Sequence, residues 1–144
     1  IRLLKTPYFR WFDSGDLQSV YNLERIVRVC ERTSMINHWL PTKEYGFVNE
    51  FLSNGGEIPE NLSLRPSGYK FNGEPPVFRG KSALMSELPT STATYLDENE
   101  KPEVVHGHLC PAHWQNGECG DCRACWNKEV KNVTYPNQKQ KISK

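Results

Sequence analysis

Four of the five cysteines of this chain fall between His106 and Trp126, in HGHLCPAHWQNGECGDCRACW, where Cys110, Cys119, Cys122 and Cys125 are spaced C-x8-C-x2-C-x2-C. Three thiols at successive intervals of three residues cannot close unstrained disulfides among themselves, because such short loops rarely permit the geometry the bond requires. They can, however, all turn toward one inorganic centre. Four thiolates satisfy a tetrahedral Zn²⁺ or the corners of a cubane iron–sulfur cluster, and soft sulfur selects these metals over Mg²⁺ or Ca²⁺. A consecutive C-x2-C-x2-C with one distant thiol stands closer to the iron–sulfur pattern than to the two separated C-x2-C pairs of structural zinc. The spacing therefore favours a [4Fe–4S] cluster over Zn²⁺. The plainer alternative is a zinc knuckle that staples the C-terminal region. His106, His108 and His113 could each replace one thiol, although four sulfurs already fill the coordination.

A second set of candidate chemical groups lies in polar turns that follow apolar stretches. YFRWF, from Tyr8 to Phe12, reads as an aromatic-rich strand ending in Asp13, Ser14, Gly15 and Asp16. A helix is predicted from Leu17 to Thr33, with Leu17, Val20, Leu23, Val27 and Cys30 on one buried face and Asp16 as its N-cap. Cys30 then belongs to the core and is no metal ligand. Ile36 to Leu40 is the second strand, ended by Pro41, Thr42, Lys43 and Glu44, and a shorter helix follows to Asn54, stopped by Gly55 and Gly56. Leu62 to Arg65 is the third strand. This order, with short turns, predicts an α/β fold: a partial parallel sheet of βα repeats, barrel-like in part, with an irregular C-terminal metal-binding region.

In such a sheet, ligands bind beyond the carboxyl ends of the strands. The polar turns stand at that end, so Asp13, Asp16 and Glu44 are the candidate catalytic carboxylates, with Asp16 or Glu44 as general base. Ser14, Thr42, Lys43 and Arg65 are the candidate substrate-binding groups, Lys43 or Arg65 taking an anionic group such as phosphate. The bland reading of Asp13 and Asp16 is that they cap and hydrate the start of a helix.

The chain divides into 1–67, holding the βαβαβ units; 68–105, rich in Gly and Pro, with loops and a strand at Thr90 to Tyr95; 106–126, the cysteine motif hanging from the end of the sheet; and 127–144, a basic, solvated tail. A nucleic-acid arm is the sharper reading of that tail, but a net charge of +1 over 144 residues supplies no electrostatic argument for it. No apolar run approaches the ~18 residues of a membrane span and no signal-like segment is present, so a cytoplasmic protein is expected. An odd number of cysteines, four of them clustered, fits a reducing compartment. The absence of an initiator methionine before Ile1, and an opening that runs at once into a strand, predict a fragment, a processed product or a split polypeptide.

Four segments, FRWFDSGDLQS, INHWLPTKEYGFV, the LPTST around Thr90, and LCPAHWQNGECGDCRACW, together resemble the bacteriophage gene-product-88 family from about Tyr8 to Tyr135. The resemblance implies a phage-type protein, in the host cytoplasm if phage-encoded, whose relatives look longer and carry further cysteines in an N-terminal portion. The arrangement also resembles the later units of a radical-SAM partial barrel, without that family's C-x3-C-x2-C loop, so the cysteines here would correspond to an auxiliary cluster or a structural zinc. A complete eight-unit barrel needs on the order of 200 residues. Three units leave an open edge, so the strand at Tyr8 is expected to pair with a second chain or with a missing N-terminal half.

Overall fold

The computed structural model describes residues 7–12 and 15–137. Strand β1 (Tyr8–Arg10) is followed by helix α1 (Val20–Arg32), β2 (Asn37–Thr42), α2 (Tyr45–Ser53) and β3 (Leu62–Pro66). These three strands form a parallel sheet in the order β1-β2-β3, with Phe9 opposite His38 and His38 opposite Leu62. A second parallel sheet follows from β4 (Thr90–Tyr95), β5 (His108–Leu109) and β6 (Asn132–Asn137), in the order β4-β6-β5. A parallel bridge between Ser67 and Ser91 joins the end of β3 to β4. The fold is thus α/β, built on two small open parallel sheets.

Helix α1 begins where Ser19 accepts a hydrogen bond from the Asn22 amide (3.0 Å). Asp16 is therefore not its cap, and the helix starts at Val20 rather than Leu17. A serine hydroxyl in extended backbone, three residues from the amide it serves, is the better cap geometry. The helix buries Leu23, Ile26, Val27 and Cys30, at the three- and four-residue steps that make one face. Beyond its C-terminal end, Asn61 Nδ2 reaches the carbonyls of Cys30, Thr33 and Ile36 at 2.8 to 3.1 Å, and Thr33 Oγ1 donates to Val29 O (2.7 Å). That face and α2 pack on Leu40, Leu62 and Leu64, and Phe78 and Met85 from the irregular stretch close the same core.

The opposite face carries Trp39, Ala124, Cys125 and Val133, with Cys110, Cys122, Trp126 and Tyr135 against them. Trp39 of β2 stacks on Tyr135 of β6 (5.8 Å, 22°). Three strand spacings of a flat sheet would part those two positions by about 14 Å, so the sheets curve toward one another around the cysteine loop. The loop therefore lies on the concave face and does not hang from the sheet's end. Residues 132–137, read from sequence as part of a solvated tail, form the central strand of the second sheet, and Asn132, Val133 and Thr134 are buried. Residues 138–144 lie outside the described residues. Strand β1 is an edge of the first sheet, and Trp126 Nε1 donates to its Phe9 carbonyl (3.0 Å). No helix among the described residues is long and apolar enough to cross a membrane.

Candidate metal and substrate site

The cysteine loop is folded by local turns. Cys122 N–H donates to Cys119 O (3.0 Å), and short 3₁₀ turns cover Ala112–Trp114 and Ala124–Trp126. Cys110 N–H donates to Thr134 O (2.8 Å), which ties the loop's start to β6. All five cysteines are free thiols. Cys110, Cys122 and Cys125 share one packed cluster, and Cys119 acts electrostatically on both Cys110 and Cys125. Burial pushes the Cys125 thiol up to about 12 and raises Cys110 in the same direction, with the neighbouring thiols adding to both shifts. As they stand, no three His, Cys, Asp or Glu side chains among the described residues form an ion-holding group. The Cys125 sulfur lies 2.8 Å from the Tyr135 hydroxyl, and Cys122 Sγ lies 3.3 Å from His108 Nε2.

Arg65 is fully buried beside this cluster. Its guanidinium donates to the carbonyls of Cys125 (3.0 Å), Thr90 (2.9 Å), Ala124 (2.9 Å) and Asn127 (2.7 Å). None of these acceptors carries a charge. Burial lowers the arginine's pKa, while Tyr135 and Cys125 raise it. Expected at the substrate mouth, Arg65 instead fastens the loop to β3 and β4.

The other candidates divide. Asp13 and Ser14 lie outside the described residues. Asp16, Thr42, Lys43 and Glu44 are brought together after β2: Thr42 Oγ1 donates to Asp16 Oδ1, Lys43 N–H donates to Asp16 Oδ2 (2.8 Å), and Glu44 N–H donates to Thr42 Oγ1 (3.0 Å). Leu17 N–H also donates to Asp16 Oδ1 (2.7 Å), so the Asp16 carboxylate holds the turns after β1 and β2 together. Glu44 is exposed at the N-terminus of α2 and makes no side-chain cap there. His106 and His113 approach no sulfur through a hydrogen bond; His106 joins β6 through its backbone, its N–H donating to Thr134 Oγ1 (3.0 Å).

Above the cysteine cluster, at the carboxyl ends of the strands, is a cavity of about 360 Å³ lined by Arg10, Trp39, Lys43, Ser67, Ser91 and Tyr135, among others. An adjoining hollow of about 290 Å³ shares Arg10, Pro41, Lys43 and Ser67 with it and reaches Asp16 and Thr42. A ligand site at this end of a parallel sheet is where the crossover topology puts it. Arg10, Trp39 and Tyr135 are residues that the sequence reading did not single out. Nothing local in the sequence marked Trp39; along β2 it alternates with His38 and Leu40, which the structure buries on the other face, and so it faces the cysteine loop.

No curated protein and no solved structure matches the chain. The family model described as Gene product 88 matches residues 2–128, a span that takes in the curved first sheet, β4 and the entire cysteine loop. By that match the chain belongs to the gene product 88 family.

Proposed function

We propose that this chain is part of an iron–sulfur enzyme, radical-SAM-like in layout, in which Cys110, Cys119, Cys122 and Cys125 hold a [4Fe–4S] cluster beneath a substrate cavity at the strand ends. The observation that carries the reading is Arg65. A guanidinium taken wholly out of water, with only neutral carbonyls as hydrogen-bond acceptors, needs a negative charge nearby. Four thiolates around a metal centre provide that charge, and the Cys125 backbone already receives one of the arginine's hydrogen bonds.

The donor set fits such a centre. Soft thiols suit iron–sulfur clusters and zinc; Cys125 is buried with Cys110, Cys119 and Cys122 half-buried near it, and the Tyr135 hydroxyl can donate to a Cys125 thiolate. The thiols are neighbours without converging on one point, a spread that a cluster of several atoms bridges with less movement than a single ion requires. When bound, the cluster would supply one-electron chemistry. Around it, Trp39 and Tyr135 wall the cavity, Asp16 positions the turn that carries Lys43, and the exposed Glu44 next to that turn is the candidate general base. The substrate would be a nucleotide, a nucleic acid or a small modified molecule.

A second reading, a zinc-stabilised binding or assembly protein, is favoured by the number of hydrogen bonds that make Asp16 and Arg65 structural. Anaerobic purification with iron, sulfide and zinc analysis separates the two. About four iron and four sulfide per chain, with brown charge-transfer absorption, is the expected result. One zinc in a colourless protein selects the second reading, and a chain retaining neither metal excludes both.

A further inference from the structure

Two buried donors on the concave face have no acceptor among the described residues. Trp39 Nε1 and Ser63 Oγ make no hydrogen bond, although their residues are only 5% and 1% exposed. Asn49 Oδ1 in α2, a third buried atom without a partner, can only accept. Trp39 and Ser63 stand opposite each other in the register of β2 and β3. Leu40, Leu62 and Leu64 beside them enter the core under the helices, so the alternation of a strand turns both side chains toward the cysteine loop. Trp39 packs in one cluster with Cys110, Cys122 and Cys125. Arg65, two residues beyond Ser63 on the same face, donates to the Cys125 carbonyl (3.0 Å). Ring contacts fix the Trp39 indole, since Tyr135 stacks on it and Trp126 meets it edge-on (5.5 Å, 70°). Neighbouring donors are committed elsewhere, Trp126 Nε1 to Phe9 O and the Arg65 guanidinium to four backbone carbonyls.

An indole N–H and a hydroxyl withdrawn from water cost free energy unless something accepts from them. On this face the groups suited to accept are sulfurs, and a metal-bound thiolate or sulfide accepts more strongly than a neutral thiol because it carries charge. We infer that Trp39 Nε1–H and Ser63 Oγ–H donate to sulfur of the metal centre held by Cys110, Cys119, Cys122 and Cys125, and that these two bonds set its reduction potential. The inference rests on the iron–sulfur reading and assigns the tuning of that centre to two residues outside its ligand set. Reduction adds negative charge to the sulfurs, so each donor bonds the reduced centre more strongly than the oxidised one and raises the potential.

The test is anaerobic loading of the full chain with iron and sulfide, with iron content and reduction potential measured for the wild type, Trp39→Phe and Ser63→Ala. At matched iron content each substitution should disfavour the reduced cluster about tenfold, a fall of ~59 mV for one electron. Ser63→Ala removes a single oxygen, so it carries the test if Trp39→Phe does not fold. A second readout is the set of indole N–H resonances of the four tryptophans in the diamagnetic zinc-loaded chain, where the Trp39 proton should move downfield of its metal-free position. A potential that either substitution leaves unchanged at full loading, or a Trp39 resonance that zinc does not move, overturns the inference while the cluster reading stands. A chain that takes up no cluster overturns that reading, and the potential assigned here falls with it; the iron content tells the two failures apart.

Discussion

His38 is 3% exposed and has both ring nitrogens engaged. Trp11 Nε1 donates to Nδ1 (3.1 Å), and Nε2 lies 2.8 Å from Thr33 Oγ1, whose own proton goes to Val29 O (2.7 Å). The ring is therefore neutral with its proton on Nε2, and a second proton would face the Trp11 N–H. Burial lowers its pKa from the ordinary 6.5. Below pH 6.5 the unfolded chain takes up a proton that native His38 resists, so stability rises with pH across this window. The contribution is complete above 6.5 and is lost as pH falls toward the native value. His38→Gln should cost about 1–3 kcal/mol at pH 7.5, since Trp11 or Thr33 loses a partner. It should also flatten the fall in urea midpoint between pH 7.5 and 5.5. Parallel pH profiles for the two proteins would show that His38 is not the titrating group. The burial of His38 was not legible in the sequence, because INHWL gives no sign of which residues face the helices; only Trp11 and Thr33, distant in sequence, decide it.

At the scale of elements, the first half of the chain could be read because its apolar spacing is regular, and β6 could not. Asn132 to Asn137 contains a proline and two asparagines, which speak against a strand. Its polar residues are nonetheless consumed inside the sheet: Asn132 Nδ2 donates to Thr92 Oγ1 (3.0 Å) and His106 O (2.8 Å), and Thr134 Oγ1 donates to His106 O (2.7 Å). These bonds require the chain before β5 to come very close to β6. Gly107 makes that possible. It adopts φ +72°, and a Cβ there would meet Asn132 O at 2.5 Å. Gly107→Ala combines left-handed strain with a backbone clash and should destabilise by about 1–3 kcal/mol. Amide exchange should quicken first in β5 and β6 while α1 keeps its protection. Unchanged exchange at Val133 and Thr134 would mean that the contact is not limiting.

For the whole molecule, strand direction was legible from the alternation of strands and helices, but curvature was not, since nothing local in the sequence states that Trp39 and Tyr135 meet. Arg65 is the side chain on which that curvature converges. It leaves β3, reaches the first residue of β4 through Thr90 O, and holds the cysteine loop through three further carbonyls. Arg65→Met keeps much of the length and apolar stem but removes every donor: Ala124 O and Asn127 O keep the Asn127 and Val130 amides as partners, while Cys125 O and Thr90 O lose the bonds that the guanidinium gave them. At roughly 1–3 kcal/mol for each such group, the loss should be about 2–6 kcal/mol. It should also be uneven, because α1 and α2 pack on the other face against Leu40, Leu62 and Leu64. The near-ultraviolet signal of Trp39 and Trp126 should therefore collapse at a lower denaturant concentration than the far-ultraviolet signal of the helices. Arg65→Lys separates fastening from charge: it restores the cation without the planar fork, so it should recover metal retention more than stability if the buried charge serves the thiolates. Equal loss of metal in the Lys and Met variants would reduce Arg65 to a mechanical latch, and coincident transitions in Arg65→Met would show that the two faces of the sheet unfold as one.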